Sequence, residues 1–226
     1  MLKLININKK IDEKSIHRNI NLTFEKGLSY IILGPSGIGK STLLNIIAGL
    51  VNDYTGEIEN SFSSIAYSFQ EGRLINWLSV KDNLNYSGGN EHTLDYYLEL
   101  FKIEKLKDTT VKYLSGGEKQ RVSLARAFYS NSPLILVDEN LSSLNLKLKI
   151  SIIEEMNIHL KKHNQTLIYV SHNIDEALLL ADKIIIFSEE GNVHTVMDIC
   201  MNKEERYKSF DKLALYEKQI IDIIMK

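Results

Sequence analysis

Apolar and polar positions alternate at the start of the chain: Leu2, Leu4, Ile5 and Ile7, then Ile20, Leu22 and Phe24. A period of two predicts antiparallel strands with one buried face. Glu25-Lys26-Gly27 reads as the turn that follows. Further on the pattern changes to short, mostly apolar runs at Ser29–Leu33, Leu134–Val137, Thr166–Val170 and Ile184–Phe187, of which Leu134–Val137 and Ile184–Phe187 are unbroken. Such runs belong to strands covered on both faces. Helical spacing fills the gaps, over Lys40–Leu50, Glu118–Tyr129, Leu146–Lys162 and Ile174–Ala181. The stretch from about 74 to 113 is polar and reads as helical, with Tyr96, Tyr97, Leu98, Leu100 and Phe101 as its apolar face. Strand alternating with helix predicts an α/β fold with a mainly parallel sheet. The tail beyond about Asn202 is charged and reads as helical, with Ile220, Ile221, Ile223 and Ile224 as a packing face.

Composition narrows the function classes. Of 226 residues, 44% are apolar, 8% aromatic and 25% charged, ordinary for a globular chain. Lys plus Arg count 27 and Asp plus Glu 29, a net charge of −2. That balance argues against a nucleic-acid protein held by bulk charge. The single cysteine, Cys200, excludes an internal disulfide and reads as a plain core or surface thiol. No apolar run approaches the roughly 18 residues that cross a bilayer, and the first residues do not form a secretory signal. Any membrane role is therefore expected through a partner. No linker divides the sequence, so residues 1–226 are expected to form one domain. His17, His92, His159, His163 and His194 show no metal-ligand spacing, so no zinc site is expected.

Gly34-Pro35-Ser36-Gly37-Ile38-Gly39-Lys40-Ser41-Thr42 fits G-x-x-x-x-G-K-[ST], directly after a buried strand and at the start of a helix. Glycines let the backbone wrap closely, so that N–H groups face phosphate oxygens, and the helix adds its positive end. Lys40 is placed to neutralise the β- and γ-phosphates, and the Ser41 hydroxyl to ligate Mg²⁺. The strand Leu134–Val137 then delivers Asp138 at its C-terminal end, where ligands sit in open α/β sheets. Asp138 is expected to hold Mg²⁺ through water, and Glu139 to polarise a water for attack on the γ-phosphate. Ser115-Gly116-Gly117, before the helix at Glu118, makes a second anion site.

With Leu114-Ser115-Gly116-Gly117-Glu118 between the phosphate loop and the acidic strand, the chain resembles the nucleotide-binding subunits of ABC transporters. The resemblance covers about residues 1–190. It implies a P-loop NTPase core, an N-terminal antiparallel β-subdomain and an inserted α-helical subdomain at roughly 74–130, with 191–226 as a tail. It implies ATP hydrolysis with Mg²⁺ by a head-to-tail homodimer, each nucleotide lying between one copy's phosphate loop and the other's Ser115–Glu118. Gln70, ending Tyr67-Ser68-Phe69-Gln70, is implied to approach Mg²⁺ and the attacking water, and His172 to contact the γ-phosphate. The implied partners are a second copy, transmembrane permease subunits and an extracytoplasmic solute-binding protein, with no nucleic acid. The implied location is the cytoplasmic face of the membrane.

Phe69-Gln70-Glu71-Gly72-Arg73-Leu74-Ile75-Asn76-Trp77-Leu78 resembles importer subunits for nitrate, sulfonate, taurine and pyrimidine precursors. Trp77 reads either as part of the surface that receives a permease or as packing inside the helical subdomain. An exporter motor is the alternative reading, and a soluble ATPase of DNA repair or translation a further one. Several positions depart from the family pattern. Ile11 stands where an aromatic usually stacks on adenine, so looser base selectivity is expected. Asn145 replaces an aspartate in the loop Leu141–Asn145, Asn140 a proline, and Asn173 an aspartate.

Overall fold

The computed structural model describes residues 1–12 and 14–225. In chain order the elements are β1 (Leu2–Ile11), β2 (Lys14–Phe24), β3 (Ser29–Leu33), α1 (Lys40–Ile47), β4 (Thr55–Asn60), β5 (Ile65–Ser68), α2 (Val80–Asn85), α3 (Leu94–Leu100), α4 (Gly116–Tyr129), β6 (Leu134–Asp138), α5 (Leu146–His163), β7 (Thr166–Val170), α6 (Ile174–Leu180), β8 (Lys183–Phe187), β9 (Val193–Asp198), α7 (Lys203–Arg206) and α8 (Phe210–Ile224). They fall into two compact units, Met1–Phe62 with Thr166–Lys226, and Ser63–Gln165.

The first unit carries two sheets. An antiparallel sheet has the order β2-β1-β4, and its buried positions are the alternating ones, Leu2, Leu4, Ile7, Ile20, Leu22 and Phe24. Asn6 and Asn19 take left-handed backbone (φ 52° and 49°) beside bulges between the strands. Their N–H groups donate to Asn21 Oδ1 and Asn8 Oδ1, at 2.9 and 2.8 Å, a reciprocal clasp that satisfies backbone the bulges would leave open. In the other sheet β7, β3 and β8 run parallel and β9 closes the edge antiparallel to β8. Every residue of β3 and β7 is buried, the expected signature of central parallel strands.

The second unit pairs β5 with β6 in parallel, Ser68 opposite Val137. Its core lies among α2, α3, α4 and α5, with Phe101 set edge-on against Phe128 at 5.2 Å. The run from 74 to 113 is not one helical stretch. Gly88-Gly89 separates α2 from α3, and Lys102 in left-handed backbone (φ 55°) ends α3, so it divides into short helices and turns. The helix expected to reach Leu50 stops at Ile47, where Ala48 is the C-cap and Gly49 turns left-handed (φ 71°). The expected face on α8 is only partly buried: Ile220 is enclosed, whereas Ile221 and Ile224 are exposed. Two strands lie outside the sequence reading, β4 and β9, both polar and at sheet edges. No helix among the described residues is long and apolar enough to cross a membrane.

Candidate nucleotide site

In the first unit β3 runs straight into the glycine loop. Gly34 passes so close to β8 that an added Cβ would stand 3.0 Å from Phe187 Cβ. Ser36 and Gly37 at the loop's crest are exposed, with Pro35 and Ile38 half-buried on either side. Gly39 is the N-cap of α1 at φ 103°, and no side chain caps that end. The helix therefore presents first-turn N–H groups and its positive pole to the loop. Lys40 is buried, and its Nζ donates to the Gly34 and Pro35 carbonyls at 2.8 and 2.7 Å. Ser41 and Thr42 follow half-buried in the first turn. Narrow glycine backbone, a lysine head and an uncapped helix start fit a polyphosphate, and a serine hydroxyl beside them is the hard oxygen donor that Mg²⁺ takes.

The loop rests on a residue that the sequence did not single out. His17 is fully buried, and a Cβ on Gly39 would meet its Cε1 at 3.0 Å and Ile16 Cγ2 at 2.2 Å. Burial holds the imidazole below its ordinary pKa despite nearby main-chain groups of Gly39 and Gly191. A neutral ring, set edge-on to Phe187 at 5.9 Å, thus floors the loop without placing a cation there. Nothing in the sequence pattern distinguishes His17 from a surface strand residue.

His172 leaves the sheet beside this loop. β7 lies next to β3 in parallel, with Val170 opposite Ile32, and the Ser171 N–H donates to the Ile32 carbonyl at 3.2 Å. Both segments thus emerge from the same end of neighbouring strands, and His172 is exposed there. Its neighbours are tightly held. Asn173, noted above as a departure, caps α6 by accepting the Glu176 N–H at 3.0 Å, as an aspartate would. The buried Glu176 carboxylate accepts the hydroxyls of Tyr169 and Ser171 at 2.6 and 2.7 Å.

In the second unit Gln70, Asp138 and Glu139 also leave neighbouring parallel strands, β5 and β6. Asp138 is buried at the end of β6; burial, and secondarily the Asp138 charge, push the Tyr67 hydroxyl up. Gln70 Nε2 donates to Glu139 Oε2 at 3.3 Å. Glu139 has left-handed backbone, φ 53°, uncommon for a side chain of its size and a mark of functional sites. Arg126 fixes the loop after Gln70 by donating to the Gly72 and Arg73 carbonyls at 2.9 and 3.0 Å. Asn140 is fully buried and its Nδ2 donates to Ser68 Oγ, so this departure from the family proline has a structural task.

Ser115 is the N-cap of α4 and closes a capping box with Glu118. Its N–H and Oγ donate to Glu118 Oε2 at 2.8 and 2.7 Å, which holds that carboxyl below the usual range. Gly116 has open space where a Cβ would stand, and Gly117 faces Ser143 and Leu144. Ser143 Oγ in turn donates to Gln120 on α4. Asn145 caps α5 through the Leu148 N–H at 3.0 Å, a role in which it matches aspartate. Trp77 is 79% exposed, so it does not pack inside the helical unit. Ile11 is 47% exposed and offers no aromatic face. Cys200 is an exposed thiol.

Residues 17–142 match the ABC transporter family. An aliphatic sulfonates import ATP-binding protein from Pseudomonas savastanoi pv. phaseolicola is 35% identical over 83% of this chain and 83% of its own. A counterpart from Bacillus thuringiensis subsp. konkukian is 34% identical over 86% of this chain and 84% of its own. A maltose/maltodextrin import ATP-binding protein from Mannheimia succiniciproducens is 35% identical over 84% of this chain and 56% of its own. Among solved structures, the ATP-binding cassette MJ0796, a dimer in a post-hydrolysis state bound to ADP and Pi, superposes with a TM-score of 0.80 at 28% identity. That match covers 89% of this chain and 100% of the solved one.

Proposed function

Because the chain belongs to the ABC transporter family as an ATP-binding ATPase subunit, we propose that it powers solute import through partner permease subunits. The solute is a small anion or organic precursor of the sulfonate type. The similarity to sulfonate and maltodextrin import subunits favours import over export. The observation that carries the catalytic reading is the loop Gly34–Gly39, opening onto an uncapped helix start with Lys40 at its centre.

In this reading Lys40, Ser41 and the loop N–H groups hold the phosphates, and Ser41, Asp138 and Gln70 hold Mg²⁺. When bound there, Mg²⁺ would supply positive charge that offsets the charge of the nucleotide's phosphates. Glu139 polarises the attacking water and takes up its proton at the carboxylate, while Gln70 fixes that carboxylate by the bond already present in the structure. His172 donates to the γ-phosphate. Ser115, Gly116, Gly117 and Glu118 of a second copy close the nucleotide from the opposite side, so turnover requires a head-to-tail dimer. The exposed Trp77 belongs to the surface that meets the permease, and an extracytoplasmic solute-binding protein completes the system.

Glu139→Gln decides the matter. The variant keeps the length and planar shape of the side chain, binds ATP, loses turnover by about 100-fold or more, and accumulates as a dimer in light scattering with Mg–ATP. Wild-type turnover in Glu139→Gln removes that residue from its role. A strictly monomeric variant under saturating Mg–ATP removes the dimer.

A further inference from the structure

Arg206 ends the short helix α7 and is only 1% exposed. Its guanidinium makes five hydrogen bonds, all to main-chain carbonyls. Nη1 donates to Leu178 and Ala181 at 2.9 and 2.7 Å, and Nη2 to Met201 and Ile199 at 2.7 and 3.3 Å. Nε donates to Met201 at 3.0 Å. The Leu178 and Ala181 carbonyls close the C-terminal end of α6, where a helix runs out of its own donors and where a cation complements the dipole. A guanidinium buried without a hydrogen-bonded carboxylate is costly. Apolar contacts would anchor a tail without that cost.

Lys203, also on α7, reaches elsewhere. Its Nζ donates to Asp182 Oδ2 at 2.9 Å and to Ser29 Oγ at 3.0 Å, and Asp182 Oδ2 accepts the Ser29 N–H at 2.7 Å. Ser29 is the first residue of β3, the strand that ends in the phosphate loop. The other end of α6 is locked to β7: Glu176 holds Tyr169 and Ser171, and the Asn173 N–H donates to Ser171 Oγ at 3.1 Å. His172 sits between those two residues. One helix of the tail therefore ties the start of β3 to the far end of the helix that follows His172.

Resting on the ATPase reading above, we propose that α7 is a positioning element for hydrolysis, in which Arg206 and Lys203 set the place of α6 relative to β3 and so hold His172 in register with the phosphate loop. Neither residue touches the nucleotide. Loss of the clamp lets α6 shift along its axis and moves His172 while leaving the phosphate loop whole.

The test uses the full chain. Arg206→Met keeps the apolar stem and removes every donor. Its kcat is expected to fall about tenfold, since small misplacements of catalytic groups are costly, while KM for ATP stays within about twofold. Arg206→Lys recovers part of the loss, and Lys203→Met shows a smaller one. The imidazole Cε1–H resonance of His172, assigned through His172→Asn, shifts in Arg206→Met. Leu4→Ala, in the antiparallel sheet, serves as a variant of lowered stability that leaves the clamp alone. The proposal is overturned if Arg206→Met retains wild-type kcat, if its loss equals that of Leu4→Ala at matched melting temperature, or if the His172 resonance does not move. If Arg206→Met does not fold, Arg206→Lys and Lys203→Met decide by the same readouts. A wild-type chain that turns over no ATP sinks the ATPase reading instead, and the resonance still judges the clamp.

Discussion

Replacing Gly39 by alanine tests whether the phosphate loop is held by shape. Two costs can be worked out separately. The backbone at Gly39 has φ 103°, beyond the left-handed well that L-residues tolerate, and occupying even that well costs about 1–2 kcal/mol. The new Cβ would also lie 2.2 Å from Ile16 Cγ2, far inside the roughly 3.5 Å at which carbons repel little. Ile16 is β-branched and sits in β2, so its methyl cannot swing away, and relief by backbone shift costs about 1–3 kcal/mol. Together Gly39→Ala should lose about 2–5 kcal/mol. Gly37 is the internal control: it has φ 76° and no heavy atom within 4 Å of an added Cβ. Gly37→Ala should lose only the backbone term, about 1–2 kcal/mol. Urea unfolding followed by circular dichroism gives both values, and calorimetry gives ATP affinity, which Gly39→Ala should also reduce. Adding Ile16→Ala to Gly39→Ala should return the steric part. If the two glycine variants unfold within about 0.5 kcal/mol of each other, close packing under the loop is not what fixes it.

Two further outcomes follow from buried polar groups. Burial, and secondarily His163, push His159 down to about 4 from 6.5, so the unfolded chain binds the proton first as pH falls. Stability should therefore be complete above pH 6.5 and fall by up to about 3 kcal/mol toward pH 4; His159→Phe should flatten that slope in melting scans, and an unchanged slope refutes the assignment. Asn140→Ala should cost about 1–3 kcal/mol in chemical denaturation by deleting a buried donor, and a loss under about 0.5 kcal/mol would mean that the bond to Ser68 contributes nothing net.

The strands that carry the site were legible because they are covered on both faces. Ser29–Leu33, Thr166–Val170 and Ile184–Phe187 are mostly apolar and buried throughout, and the structure places them where the pattern did. β4 (TGEIEN) and β9 (VHTVMD) escaped notice because edge strands bury little, and their sequences look like polar connections. The loop residues were legible through spacing alone. Their supports were not: His17 under Gly39, Arg126 behind Gly72 and Arg206 at the end of α6 act through tertiary neighbours that a one-dimensional pattern does not contain. The same limit explains Asn140 and Asn173, which stand in the sequence only as departures from the family pattern and prove to be a buried donor and a helix cap.

The left-handed backbone at Glu139 imposes two separate filters on what that position can become. Asparagine and glycine suit the turn but lose the long carboxylate, whereas alanine suits neither requirement. Aspartate keeps the charge on a shorter arm and accepts the turn. A saturation library at this codon should therefore sort into fold-competent and turnover-competent sets that barely overlap, and drift there would be confined to the original residue.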